Sequence, residues 1–86
     1  MELLRSDRYV LAAILALNDA RETVSVRRIA RVSSYNPTTV SMAIRRLRDG
    51  GYLKYRRDHG RHYTYTVVRE PEIDMLSYIA AVTARL

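Results

Sequence analysis

The sequence predicts a mainly α-helical single domain with one small β-hairpin, in the order helix, strand, helix, turn, helix, hairpin, helix. Three observations carry this reading. Residues 37–49 place Val40, Ala43, Ile44 and Leu47 at helical spacing on one face. Residues 52–58 and 62–68 change to a β-type alternation rich in tyrosine, threonine and valine, around a glycine at position 60. Apolar runs at 9–17 and 73–86 supply a helix on either side of that unit.

Taken in order, Ser6 or Asp7 is the expected cap of the first helix, because a short side-chain oxygen accepts from the orphan amides of a first turn. The helix runs through Leu17 and ends at Asn18-Asp19-Ala20-Arg21. It is apolar nearly all round, so it must be covered on more than one side. Thr23-Val24 is expected as a short strand, and Ser25 as the cap of a second helix. There Val26, Ile29 and Ala30 share a face, with Arg27, Arg28 and Arg31 turned away. Ser33-Ser34-Tyr35 reads as a tight turn.

Asn36 is the expected cap of the third helix, with Pro37 at its first position, where no amide donor is required. Opposite its apolar face lie Thr38, Ser41, Met42 and Arg45. Asp49-Gly50-Gly51 stops it. His59-Gly60-Arg61 is a short hairpin loop. Pro71 suits another first turn, and Glu72 and Asp74 favour the positive end of the helix dipole. The last helix carries Ile73, Leu76, Ile79, Val82 and Leu86, with Met75 and Tyr78 on a second strip.

Composition narrows the function. The 86 residues carry a net charge of +6, supplied almost wholly by arginine, with Lys54 as the sole lysine. Such an excess points to a polyanion, and the planar guanidinium fork suits phosphates and guanine edges. The chain has no cysteine, which excludes a disulfide framework, a zinc finger and a thiol sensor. His59 and His62 sit among arginines, a poor setting for a cation, so no metal or other cofactor is expected. No glycine-rich phosphate loop or catalytic set appears, so the chain does not read as an enzyme. The apolar run at 9–17 is too short to span a bilayer, and no signal peptide is evident, so a cytoplasmic location is expected.

Helix, short strand, helix, turn, helix, hairpin, helix is the order of a winged helix. The stretch Ile29-Ala30-Arg31 through Tyr35-Asn36-Pro37-Thr38-Thr39-Val40-Ser41 resembles the helix-turn-helix of small regulators of the multiple-antibiotic-resistance and arsenic-resistance types. Ala30 matches the small residue where two helices cross, and Ile44 to Leu53 resembles the passage into the wing. The resemblance departs from the family at Ser33, usually apolar, and at Ser34, usually glycine. An altered turn is therefore expected. The resemblance implies one winged-helix domain over 1–86: helix-turn-helix about 25–49, wing about 52–68 and a dimerisation helix about 71–86.

It also implies a sequence-specific regulator bound to double-stranded DNA. A helix fits the major groove, where base edges display distinct donor and acceptor patterns. Asn36, Thr38, Ser41, Met42 and Arg45 are the candidate base contacts. Ser34, Arg46, Arg48, Lys54, Arg56, Arg57, His59, Arg61 and His62 are candidates for the DNA backbone and wing, and alternation alone leaves open whether Arg56 or Arg57 faces DNA. Leu11, Leu15, Met75, Ile79, Val82 and Leu86 are candidates for a homodimer interface, because the outer helices carry more apolar surface than one packing face needs. A dimer cleft has room for a small effector, which the residues do not identify. The alternatives are a winged helix used for protein contacts in a transcription or replication complex, and single-strand or RNA binding through the hairpin tyrosines.

Overall fold

An apolar helix with no solvent face has to sit at the centre, and the first helix does. The computed structural model of the chain describes residues 3–58, 62–69 and 75–86. The elements are α1 (Arg5–Asp19), α2 (Val26–Ser33), α3 (Pro37–Asp49), β1 (Leu53–Asp58), β2 (His62–Val67) and α4 (Met75–Thr83). α1 packs on α2, α3, α4 and β2, so Val10, Leu11, Ala12, Ala13 and Ile14 are all fully buried.

The start of α1 differs from expectation. Leu4 occupies the cap position in extended conformation, and neither Ser6 nor Asp7 does. Asp7 stands one turn inside and reaches back, its Oδ2 accepting the Leu4 N–H at 3.1 Å. The carboxylate thus serves the first turn from within, and the helix begins earlier. Thr23 and Val24 form no strand; the sheet among the described residues holds only β1 and β2. The side chain of Asn18, just past the apolar run of α1, donates from Nδ2 to the Tyr65 carbonyl at 3.2 Å. That carbonyl belongs to a residue of β2, so the end of α1 is tied to the hairpin.

The caps of the next two helices are as the sequence indicates. Ser25 Oγ accepts the Arg28 N–H at 3.1 Å, and Asn36 Oδ1 accepts the Thr39 N–H at 2.8 Å, with Pro37 opening α3. Between them Ser34 takes the left-handed conformation with φ 66°. Buried Ser33 turns its hydroxyl to the Tyr35 N–H at 3.4 Å. The turn therefore keeps the backbone that glycine would adopt cheaply, made here by a serine.

Ile29, Val32, Val40, Ala43 and Leu47 of α2 and α3 pack with Leu53 and Tyr65 of the hairpin around α1. Gly51, with φ 79°, turns the chain out of α3, and Tyr52 N–H bonds back to the Leu47 carbonyl at 2.9 Å. The hairpin is antiparallel, with Leu53 opposite Val67, Tyr55 opposite Tyr65 and Arg56 opposite Thr64. β1 begins and β2 ends one residue inside the expected runs, though Val68 N–H still bonds the Tyr52 carbonyl at 3.0 Å. The expected loop at 59–61 and the helix start at 71–74 lie outside the described residues.

α4 closes the far side of α1. Met75 and Val82 are buried against the core, and Tyr78 meets Tyr9 edge-on with ring centroids 4.9 Å apart. This corrects half of the expected dimer surface. Leu11, Met75 and Val82 are interior residues of the single chain, because the all-round apolar surface of α1 is consumed by the chain's own helices. Leu15 and Ile79 are only partly buried, and Leu86 is exposed.

Candidate nucleic-acid interface

Burial of Val40, Ala43, Ile44 and Leu47 turns the other side of α3 outward. Thr38, Ser41, Met42 and Arg45 are all exposed there, and Met42 keeps 53% of its surface. Asn36, also exposed, has its carboxamide oxygen engaged in the cap. Its NH2 end is the part with donors still to offer.

The hairpin register separates two faces. Leu53, Tyr55 and Arg57 fall on one side with Tyr65 and Val67; Lys54 and Arg56 fall on the other with Thr64 and Thr66. Leu53 and Tyr65 are buried, so the first face looks toward the helices. Tyr55 and Tyr65 line a cleft of about 230 Å³ together with Val26, Ser41, Ile44 and Arg45. The face of the hairpin nearest the exposed side of α3 is therefore the one that bears Arg57. Arg56 and Lys54 are exposed on the opposite face. This separates the two arginines that alternation alone leaves equivalent.

Two further arginines of α3 are tied to neighbours. Arg48 donates from Nη1 to the Tyr55 hydroxyl at 2.6 Å and from Nε to Asp49 Oδ1 at 3.2 Å. The Asp49 hydrogen bond, then the nearby Tyr55 oxygen, hold the Arg48 guanidinium above its ordinary pKa. Arg46, expected at the DNA backbone, forks onto Asp7 instead: Nη2 to Oδ1 at 2.8 Å, Nε to Oδ1 at 3.0 Å and Nε to Oδ2 at 3.2 Å. The reason is local. Arg46 sits one step around the helix from Arg45, toward α1, where a fully buried carboxylate requires a cation.

Of the other candidates, Ser34 is exposed at the turn beside α3. His59 and Arg61 lie outside the described residues, and His62 is described only by its backbone, paired with Asp58. Sequence reading missed Asp7 as the partner of Arg46. Its signal was a lone acid in the first turn of an apolar helix. It also missed Arg5, whose Cζ stands 5.6 Å from the Tyr9 ring centroid beside the Tyr9–Tyr35 pair.

The described residues contain no group of three or more His, Cys, Asp or Glu side chains placed to hold a metal ion. No helix among them is long and apolar enough to cross a membrane. A family model described as iron dependent repressor, N-terminal DNA binding domain, matches residues 2–61. Comparison with curated proteins and with solved structures gave no match.

Proposed function

The chain belongs to the iron dependent repressor N-terminal DNA-binding domain family, a winged helix DNA-binding regulator domain, and from that premise we propose that α3 reads bases in the major groove while the hairpin follows the backbone. The family is a different member of the winged-helix class from the two types that the sequence resembles. The observation that carries the reading is the unbroken exposed face Thr38, Ser41, Met42 and Arg45, flanked by the Arg57 side of the hairpin. Arg45 takes a guanine edge through its fork, Thr38 and Ser41 donate or accept at neighbouring bases, and Met42 covers a thymine methyl. Asn36, its oxygen held by the cap, offers NH2 to a base or a phosphate. Arg57, Arg61 and the histidines near the tip engage the backbone or minor groove, where cations meet enhanced negative potential. Lys54, Arg56, Arg48 and Ser34 contribute longer-range or backbone contacts.

The iron in the family's description finds no fitting donor set in the described residues. The sequence has no cysteine, and the buried Asp7 is already saturated by Arg46 and Leu4.

The regulator acts as a homodimer. Leu15, Ile79 and Leu86 line an open groove of about 400 Å³ between α1 and α4, and Leu76 nearby retains 77% of its surface. Such a patch on a small protein marks an interface. A second copy seated there sets two recognition helices about 34 Å apart, for an inverted repeat.

Fluorescence anisotropy with a duplex selected from a random library tests the reading. Several phosphate contacts make affinity fall on the order of 10³-fold between about 50 and 200 mM salt. A flat salt response, or equal affinity for all duplexes, overturns it.

A further inference from the structure

Asp7 is the one acidic side chain among the described residues that is fully buried, and its position is unusual for a solubility charge. It stands at the third position of α1, while its partner Arg46 stands near the C-terminal end of α3, thirty-nine residues later. Both carboxylate oxygens are used: Oδ1 accepts from Nη2 and Nε of Arg46, and Oδ2 accepts from Nε and from the Leu4 N–H. The Arg46 side chain is 31% exposed, whereas that of Asp7 is fully buried. A planar fork on a planar carboxylate fixes rotation as well as distance, which a greasy contact between helices does not. Apolar packing through Val40, Ala43, Ile44 and Leu47 holds α3 on α1 without the fixed directionality of a two-pronged hydrogen bond.

From this we infer that the Asp7–Arg46 pair is a positioning device: it locks the roll and axial setting of α3 on α1, and so sets where the adjacent Arg45, together with Ser41 and Met42, meets the bases. Arg46 is a positioning residue and touches no phosphate. The inference rests on the proposed reading of DNA by α3. A buried pair is weak evidence for stability, since a well-packed apolar replacement is often as stable. Its worth lies in geometry. Base recognition needs side chains held within a fraction of an ångström, so a loosened α3 loses discrimination before it loses non-specific affinity.

The experiment compares the wild-type chain with Arg46→Lys, Asp7→Asn and the double variant Asp7→Leu/Arg46→Met. Each is measured for affinity on its preferred duplex and on single-base variants, and for salt slope. In parallel, spin labels on Asp19→Cys and Met42→Cys, free of background because the chain has no cysteine, report the α1–α3 distance distribution by pulsed electron resonance. The expected result is a broadened or shifted distribution in each variant, a fall of about tenfold in base discrimination, and an unchanged salt slope in the double variant. Should Asp7→Asn fail to fold, Arg46→Lys and the double variant carry the test. Unchanged distances with unchanged discrimination overturn the inference. So does a salt slope reduced by about one in the double variant with discrimination intact, which makes Arg46 a phosphate anchor. A wild-type protein that does not distinguish duplexes refutes the DNA reading, and the distance distributions still decide the pair.

Discussion

Arg48 of α3 and Tyr55 of β1 are bound to each other twice over: Nη1 lies 2.6 Å from the hydroxyl, and Cζ lies 5.6 Å from the ring centroid. This joins α3 to the hairpin. Tyr55→Phe keeps the ring contact and removes the hydroxyl. The melting temperature should barely move, because Arg48 is exposed and its contacts are screened by water. Amide exchange in β1 and β2 should quicken, and affinity should fall without a change in base preference. Exchange measured by NMR, beside anisotropy on preferred and variant duplexes, checks both.

Ser34 gives a second prediction. Its left-handed backbone costs a non-glycine residue about 1 kcal/mol. Ser34→Gly should therefore stabilise the domain by roughly 0.5–1 kcal/mol and raise the melting temperature by a few degrees. If its hydroxyl also touches a phosphate, the same variant binds DNA more weakly while melting higher. Ser34→Val should be destabilised, since a branched side chain fits that conformation poorly. Thermal unfolding followed by circular dichroism reads the order Gly, Ser, Val.

Asn36 separates capping from binding. Asn36→Ala removes the acceptor for the Thr39 N–H and should cost about 1 kcal/mol of stability. Asn36→Asp retains the acceptor and adds a charge that suits the helix N-terminus. It should be as stable as the native chain yet bind duplex worse, because a carboxylate there faces phosphate. Equal binding by Asn36→Asp would remove Asn36 from the interface.

Arg45→Ala should cost about 1–3 kcal/mol on the preferred duplex and relax the choice of one base pair. Arg61→Ala should weaken good and poor sites alike and lower the salt slope by about one. Measuring both variants on single-base variants of the site distinguishes reader from anchor. The opposite pattern reverses the two roles.

Leu86→Glu places a charge in the groove beside Leu15 and Ile79 without touching the interior. Light scattering should then show monomer at concentrations where the native chain is dimeric, with little change in melting temperature. A native chain that is monomeric at micromolar concentration removes the dimer from the proposal.

The parts of this fold legible in the sequence are those set by local rules. The caps Ser25 and Asn36, the stripe on α3 and the hairpin follow from neighbours within a few residues. The parts that were not legible depend on pairings across the chain. Asp7 looked like a cap because its partner is thirty-nine residues away. Thr23-Val24 looked like a strand because two β-prone residues satisfy the local pattern, while a strand also needs a partner elsewhere in the chain, and the sheet among the described residues holds only β1 and β2. Leu11 and Val82 looked like interface residues because a helix apolar all round does not say whether its own chain or another copy covers it. The exposed face of α3 was read directly, since the same periodicity that buries one side reveals the other.

The position of α1 has a further consequence, for how the molecule opens. α2, α3, α4 and β2 all pack on α1. Val10, Leu11, Ile14 and Leu17 of α1 are among the largest fully buried side chains, so its departure removes the middle of the core. Amides of Val10 to Ile14 should exchange only through complete unfolding, giving the full free energy of the domain. Those at the end of α4 should exchange far sooner. One helix, then, serves as the gauge of global stability, and nearly any variant that loosens it should be seen first as a loss of folded protein.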